Sequence, residues 1–276
     1  MAYDGLGLGA PTFAPSSGDK YEHCGGVGTC PSSRGVRVGA RCRRGVRVGA
    51  RRGRGARFGD MTRDEDHERE RFARLRDDAL GRIVNAEPAH DALHVRRVMA
   101  HARTIAAVEG AEVAVVETAA LLHELHNLPK DHLDSARSGE RCADEAAALL
   151  RAYGYDDHFV TRVEYCIRVH SFSRGVVPET LEARVLQDAD RLDAIGAIGI
   201  ARCFATTAVM GRPFYAVDDP FCRERAPVDK EFAVDHFYKK LLVVGERMHT
   251  ATALAMARER TDFLRQYLQQ LEREIT

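Results

Sequence analysis

The 276-residue chain has no run of about 18 apolar residues, the length a single helix needs to cross a bilayer, so no transmembrane helix is expected. Its start lacks the basic-then-apolar order of a secretory signal. It has no CxxC pair: seven cysteines, an odd number, lie scattered as Cys24, Cys30, Cys42, Cys142, Cys166, Cys203 and Cys222. That pattern suits reduced thiols rather than a disulfide framework, and a cytoplasmic protein is expected. His23, Cys24 and Cys30 have no second ligand pair at finger spacing, so a zinc clip there is not expected. Period-2 alternation is also missing, which points to an all-α fold.

The chain has no net charge, with 41 Lys+Arg against 41 Asp+Glu, but the balance is uneven. Residues 1–60 hold 11 basic against 4 acidic side chains, and the body from 61 onward is acidic. The front segment is rich in Gly, Arg, Ser and Pro and repeats RGVRVGAR from Arg34 to Arg41 and again from Arg44 to Arg51. It reads as a disordered extension, and a start at Met61 would make the repeat an upstream artefact. No aromatic interleaves the arginines of the repeat, so nucleic acid is not an expected partner. A composition of 45% hydrophobic and 30% charged residues is enough for one core, placed at 61–276.

Apolar residues then recur at helical spacing. Thr62 to Glu65 fits a capping box at the start of a first helix. Leu93, Val98, Met99, Ala102 and Ile105 predict a second, closed by Gly110. A third covers roughly Val113 to Glu124 and must stop before Pro129. Further helices are expected over Cys142–Tyr153, Asp157–Val169, Leu181–Met210, Asp235–Met248 and Thr250–Ile275, giving a bundle of about seven or eight.

Potential metal ligands interrupt this apolar pattern at three places. His94 lies one turn before Val98, His123 and Glu124 end the third helix, and Asp190 starts an acidic stretch. Two imidazoles and two carboxylates make the mixed nitrogen and oxygen set that suits Mn, Co, Ni, Mg, Fe or Zn. Such a set roughly neutralises a divalent ion and leaves positions for water and a phosphate oxygen. His123 and Glu124 are adjacent, about 100° apart on a helix, so they converge best where the helix is ending.

The motifs His90-Asp91-Ala92-Leu93-His94-Val95-Arg96-Arg97-Val98, Leu121-Leu122-His123-Glu124, His170-Ser171-Phe172-Ser173 and Gln187 through Arg202 resemble those of the HD-domain superfamily of metal-dependent phosphohydrolases, in its compact bacterial branch. The likeness spans about Ala89 to Ile275. It implies an all-α HD-like bundle, a divalent metal held by His94, His123, Glu124 and Asp190, and hydrolysis of a nucleotide or related phosphate ester or anhydride by metal-activated water. Two positions depart from the family pattern. His-Glu replaces His-Asp, moving the carboxylate by roughly one carbon–carbon bond, about 1.5 Å. Asn127 stands where an acid often follows, and an amide can hold a water but cannot take its proton. The alternative is a catalytically degenerate HD-fold protein that binds a nucleotide or metal without turnover.

Cations are needed for charge developing on a transferred phosphoryl group. Lys130, Arg97 and Arg174 are the candidates, each with a second reading as surface charge or, for Arg97, as the ion-pair partner of Asp193. His170 can contact phosphate or cap its helix. His126, with Asp131 and His132, can supply a base or a supporting contact, or stand as loop polar residues. His123 and His126 are three residues apart, not the four that a zinc-protease HExxH requires. Gly196 and Gly199 follow no strand, so they are read as sites of close helix packing rather than a dinucleotide loop. A homo-oligomer is possible.

Overall fold

Helix α2 (Ala92–Glu109) begins where Asp91, in extended conformation, accepts the His94 amide at 2.8 Å. This cap fixes the first turn and with it the ring of His94, which faces inward among Val95, Val98, Met99, Ala102 and Ile105. Gly110 ends the helix at φ 78°, a left-handed conformation that glycine adopts without a Cβ clash. The computed structural model describes residues 58–83, 91–126, 137–171 and 175–275. They fall within one unit, Ala56–Thr276, and contain helices and no strand, as expected.

Nine helices are present among the described residues. α1 (Phe58–Arg82) begins before Met61, so Thr62 lies inside the helix and is not its cap. α3 (Val113–Leu122) is buried along nearly all of its length, and Cys142 at the start of α4 (Ser138–Ala152) donates its thiol to the terminal carbonyls of Leu122 and His123. α5 (Asp157–Val169) is capped by Asp156, which accepts the Phe159 amide at 3.0 Å.

The expected single helix Leu181–Met210 is two helices, α6 (Leu181–Asp193) and α7 (Gly196–Val209), whose axes turn by 67°. The turn falls at Gly196, where φ is 76° and the Arg260 stem lies 3.1 Å from where a Cβ would stand. Gly199 approaches the Ala194 backbone so closely that an added Cβ would sit 2.2 Å from its oxygen. The expected Asp235–Met248 helix is shorter and starts earlier. This α8 is Ala233–His236, widened through a π-turn at Phe237–Leu241 and continued as Leu242–Val244. α9 (Ala251–Ile275) closes the fold.

α2, α3 and α6 pack against one another, while α5 covers α3, α4 packs on α5 and α9 packs on α7. Leu121, Leu150, Ile167, Leu186, Leu192 and Phe237 are fully buried at their junctions. Burying each such side chain contributes about 1.5–3 kcal/mol, so the three helices that carry the candidate ligands form part of the core itself. No single described helix is long and apolar enough to cross a membrane.

Candidate metal centre

His94, His123 and Asp190 each present one ligand atom within 4.8 Å of the other two. They arrive from α2, from the end of α3 and from α6, so the expected convergence of three helices is what the structure contains. The Nε2 atoms of His94 and His123 face each other at 3.3 Å. Glu124 Oε1 lies 3.6 Å from the first and 3.7 Å from the second. Its extra methylene does not carry the carboxylate away from the centre. His123 and Glu124 sit in the turn after Leu122, the helix end that lets adjacent side chains point the same way.

Each ring is held by its other nitrogen. His123 Nδ1 donates to the Ala120 carbonyl at 2.8 Å, and His94 Nδ1 is 2.7 Å from Asp193 Oδ2. With both Nδ1 atoms engaged, the two buried Nε2 atoms confront each other at 3.3 Å, where either a proton shared as a hydrogen bond or a cation held by both lone pairs satisfies them. Charge around the pair favours that cation. Burial pushes the His94 imidazole down, but Asp193, Glu124 and Asp190 overcome it and carry it up to about 9. Burial pushes His123 down to about 4. Asp190 is driven upward by burial yet held below the usual carboxylate range by His94, His123 and His170. The donor set fits a divalent ion, which on binding would take the place of the extra His94 ring proton: two imidazoles with two carboxylates in reach.

The remaining expected site residues separate. His170 stands edge-on to His123 with ring centroids 5.3 Å apart, its Nδ1 donating to the Ile167 carbonyl at 2.6 Å. Arg97 turns to Asp193, with Nε at 2.6 Å and Nη2 at 3.0 Å, so the ion-pair reading of this residue is the one with a contact in the structure. His126 faces Glu145 of α4 at 3.7 Å. Asn127, Lys130, Asp131, His132 and Arg174 lie outside the described residues.

The sequence reading assigned no role to several groups that hold this centre. Arg202 of α7 donates to Asp193 Oδ2 at 2.8 Å. Gln187 donates to the Val169 carbonyl at 2.8 Å, fastening the end of α5 that carries His170. Asp188 accepts the amides of His249 and Thr250 and the Thr250 hydroxyl, tying the start of α9 to the ligand helix. The signal for Asp193 was available as its i+3 spacing from Asp190 on one helix face.

A family model for the HD domain matches residues 92–195, which contain all four candidate ligands. The uncharacterized protein YpgQ of Bacillus subtilis is 36% identical over 197 residues, covering 70% of this chain and 88% of that protein. The chain belongs to the HD-domain superfamily. Among solved structures, B. subtilis YpgQ in complex with ADP matches with a TM-score of 0.59 and 32% identity, covering 76% of this chain and 97% of that one. An HD-superfamily hydrolase from Bacillus thuringiensis matches with a TM-score of 0.59 and 28% identity, covering 75% and 97%. A protein from Lactobacillus plantarum matches at 0.60 and 30%, covering 74% and 96%.

Proposed function

We propose that this HD-domain protein is a metal-dependent phosphohydrolase acting on a nucleotide or a similar phosphate ester or anhydride. The observation that carries the reading is the pair of Nε2 atoms facing each other at 3.3 Å inside the protein, with two carboxylates beside them. His94, His123, Glu124 and Asp190 would hold the ion. When bound, a divalent metal supplies Lewis acidity and brings the pKa of water toward neutrality. The chain's own groups do the rest. His94 and His123 present fixed lone pairs, Asp190 and Glu124 balance charge, and the packed helices keep the imidazoles out of bulk water. His170 stands beside His123, where it can face a substrate phosphate, and Lys130 and Arg174 are the remaining cations for the phosphoryl oxygens. That YpgQ has been solved with ADP supports a nucleotide as the class of substrate.

The second reading, a degenerate HD protein that binds without turnover, is favoured by Glu124 in the place of the family's Asp. One experiment separates the two. The full chain is tested by elemental analysis, and for phosphate and pyrophosphate release from a nucleotide panel with added Mn, Co, Ni, Mg, Fe or Zn. About one ion per chain, lost together with turnover in Asp190→Ala, is the expected result. Metal binding without turnover, with activity appearing in Glu124→Asp, establishes the degenerate reading. Absence of both metal and turnover removes the proposal.

A further inference from the structure

We propose that Asp193 is a positioning residue that fixes the ring of His94, and that Arg97 and Arg202 serve this carboxylate rather than the phosphate of a substrate. The inference deepens the phosphohydrolase reading and rests on its assignment of His94. Asp193 is the last residue of α6 and is fully buried. Four N–H groups meet on it. Oδ1 accepts Arg97 Nε at 2.6 Å, and Oδ2 accepts Arg97 Nη2 at 3.0 Å, Arg202 Nη1 at 2.8 Å and His94 Nδ1 at 2.7 Å. Arg202 Nη1 also donates to the Asp193 main-chain carbonyl at 3.2 Å, so one guanidinium nitrogen grips both oxygens of the residue that ends the helix.

The geometry sets the direction of the His94 bond. An ionised carboxylate only accepts. Were Nδ1 unprotonated, two acceptors would face each other at 2.7 Å, too close for a water to fit between them. Arg202 Nη1 also comes within hydrogen-bond reach of Nδ1, at 3.3 Å, but the 2.7 Å contact with Asp193 Oδ2 is the shorter, and a bond accepted from Arg202 would leave the ring nitrogen and the carboxylate as two acceptors in contact. A proton therefore resides on Nδ1, which leaves Nε2 as the ring atom offered to the centre, where it faces His123, Glu124 and Asp190. His123 obtains the same tautomer from a backbone carbonyl one turn back, whereas His94 depends on side chains from α6 and α7. Either arginine could turn to a phosphate only by leaving a buried carboxylate short of its partner.

Asp193→Asn keeps the shape but places an NH2 group among donors that need an acceptor. In the full chain, calorimetric Mn2+ affinity is expected to fall 10–100-fold, the range for loss of a group that orients a ligand. Histidine 15N NMR of the metal-free full chain is expected to show His94 protonated at Nδ1 in the wild type and no longer so in Asp193→Asn. Arg202→Gln is expected to weaken Mn2+ binding in the same direction, with most of that effect gone in the Asp193→Asn background. A wild type that binds none of Mn, Co, Ni, Mg, Fe and Zn ends the phosphohydrolase reading, and the NMR tautomer then decides this inference alone. Wild-type affinity and tautomer in a folded Asp193→Asn overturn it. So do Arg97→Gln and Arg202→Gln if they raise the KM for nucleotide and leave Mn2+ affinity unchanged. If Asp193→Asn does not fold, Arg202→Lys, which keeps the charge but not the two-oxygen grip, takes its place. A several-fold loss of affinity then supports the inference, and an unchanged affinity and tautomer overturn it.

Discussion

Replacing Gly199 with alanine tests whether the turn between α6 and α7 is as tight as the structure has it. The new Cβ would stand 2.2 Å from the Ala194 oxygen and 2.6 Å from its carbonyl carbon, both backbone atoms that no side-chain rotation can remove. The turn must therefore open by roughly 1 Å to restore ordinary contact, and overpacking of this kind costs about 1–3 kcal/mol. At about 2 kcal/mol, Tm falls by roughly 4–8 °C for a domain of this size. The movement also acts on the metal centre. Ala194 follows Asp193 directly, and Arg202 lies three residues beyond Gly199, so opening the turn draws the Arg202–Asp193 pair apart and lowers metal affinity along with stability. Gly81→Ala is the control: nothing lies within 4 Å of its Cβ position, and the exchange removes glycine from a helix, so stability is expected to rise by up to about 1 kcal/mol. Calorimetric Tm and Mn2+ titration of the two variants are the assay. A Gly199→Ala protein with wild-type Tm and affinity, beside a Gly81→Ala protein that behaves as stated, would refute the reasoning.

Two further outcomes follow from contacts away from the cluster. Asp188→Ala strips the buried amides of His249 and Thr250 of their acceptor and should cost about 3 kcal/mol by urea denaturation, with Asp188→Asn recovering part of it. His101 accepts from Arg260 at 3.1 Å and is pushed by burial, then by that guanidinium, down to about 4. Its folded pKa is below the unfolded value of about 6.5, so between these limits the unfolded chain binds the extra proton and stability declines as pH falls. His101→Gln should flatten that part of the stability–pH curve, and an unchanged slope would remove His101 as its source.

The parts of this architecture that could be read in the sequence are those where local chemistry and packing agree. α5 carries an Asp cap and a 3.6-residue apolar period, and its limits emerge as Asp157–Val169. The clustering of His94, His123 and Asp190 was legible through the ordered motifs that resemble the HD superfamily, since either histidine taken alone reads more readily as a structural group. The 67° turn between α6 and α7 was not legible: the apolar period runs through it, and only the left-handed backbone at Gly196, forced where the Arg260 stem crosses, ends the first helix. The same turn hid the role of Arg202, since nine residues along a straight helix would place it about 13 Å from Asp193 rather than on it. The Arg97–Asp193 ion pair was one of two readings open for Arg97 in the sequence, whereas the contact of His126 with Glu145 depends on which helix happens to lie opposite.

The stretch from Gln187 to Asp193 touches the end of α5, the start of α9, the cluster, the Arg247 carbonyl and the α2 histidine, in each case through a different side chain. A substitution there removes one of these attachments. Inserting or deleting a single residue would instead rotate every later one by about 100° and misdirect several together. A change of length within those seven positions should therefore cost the fold more than any single substitution among them, whereas the connections outside them can absorb it.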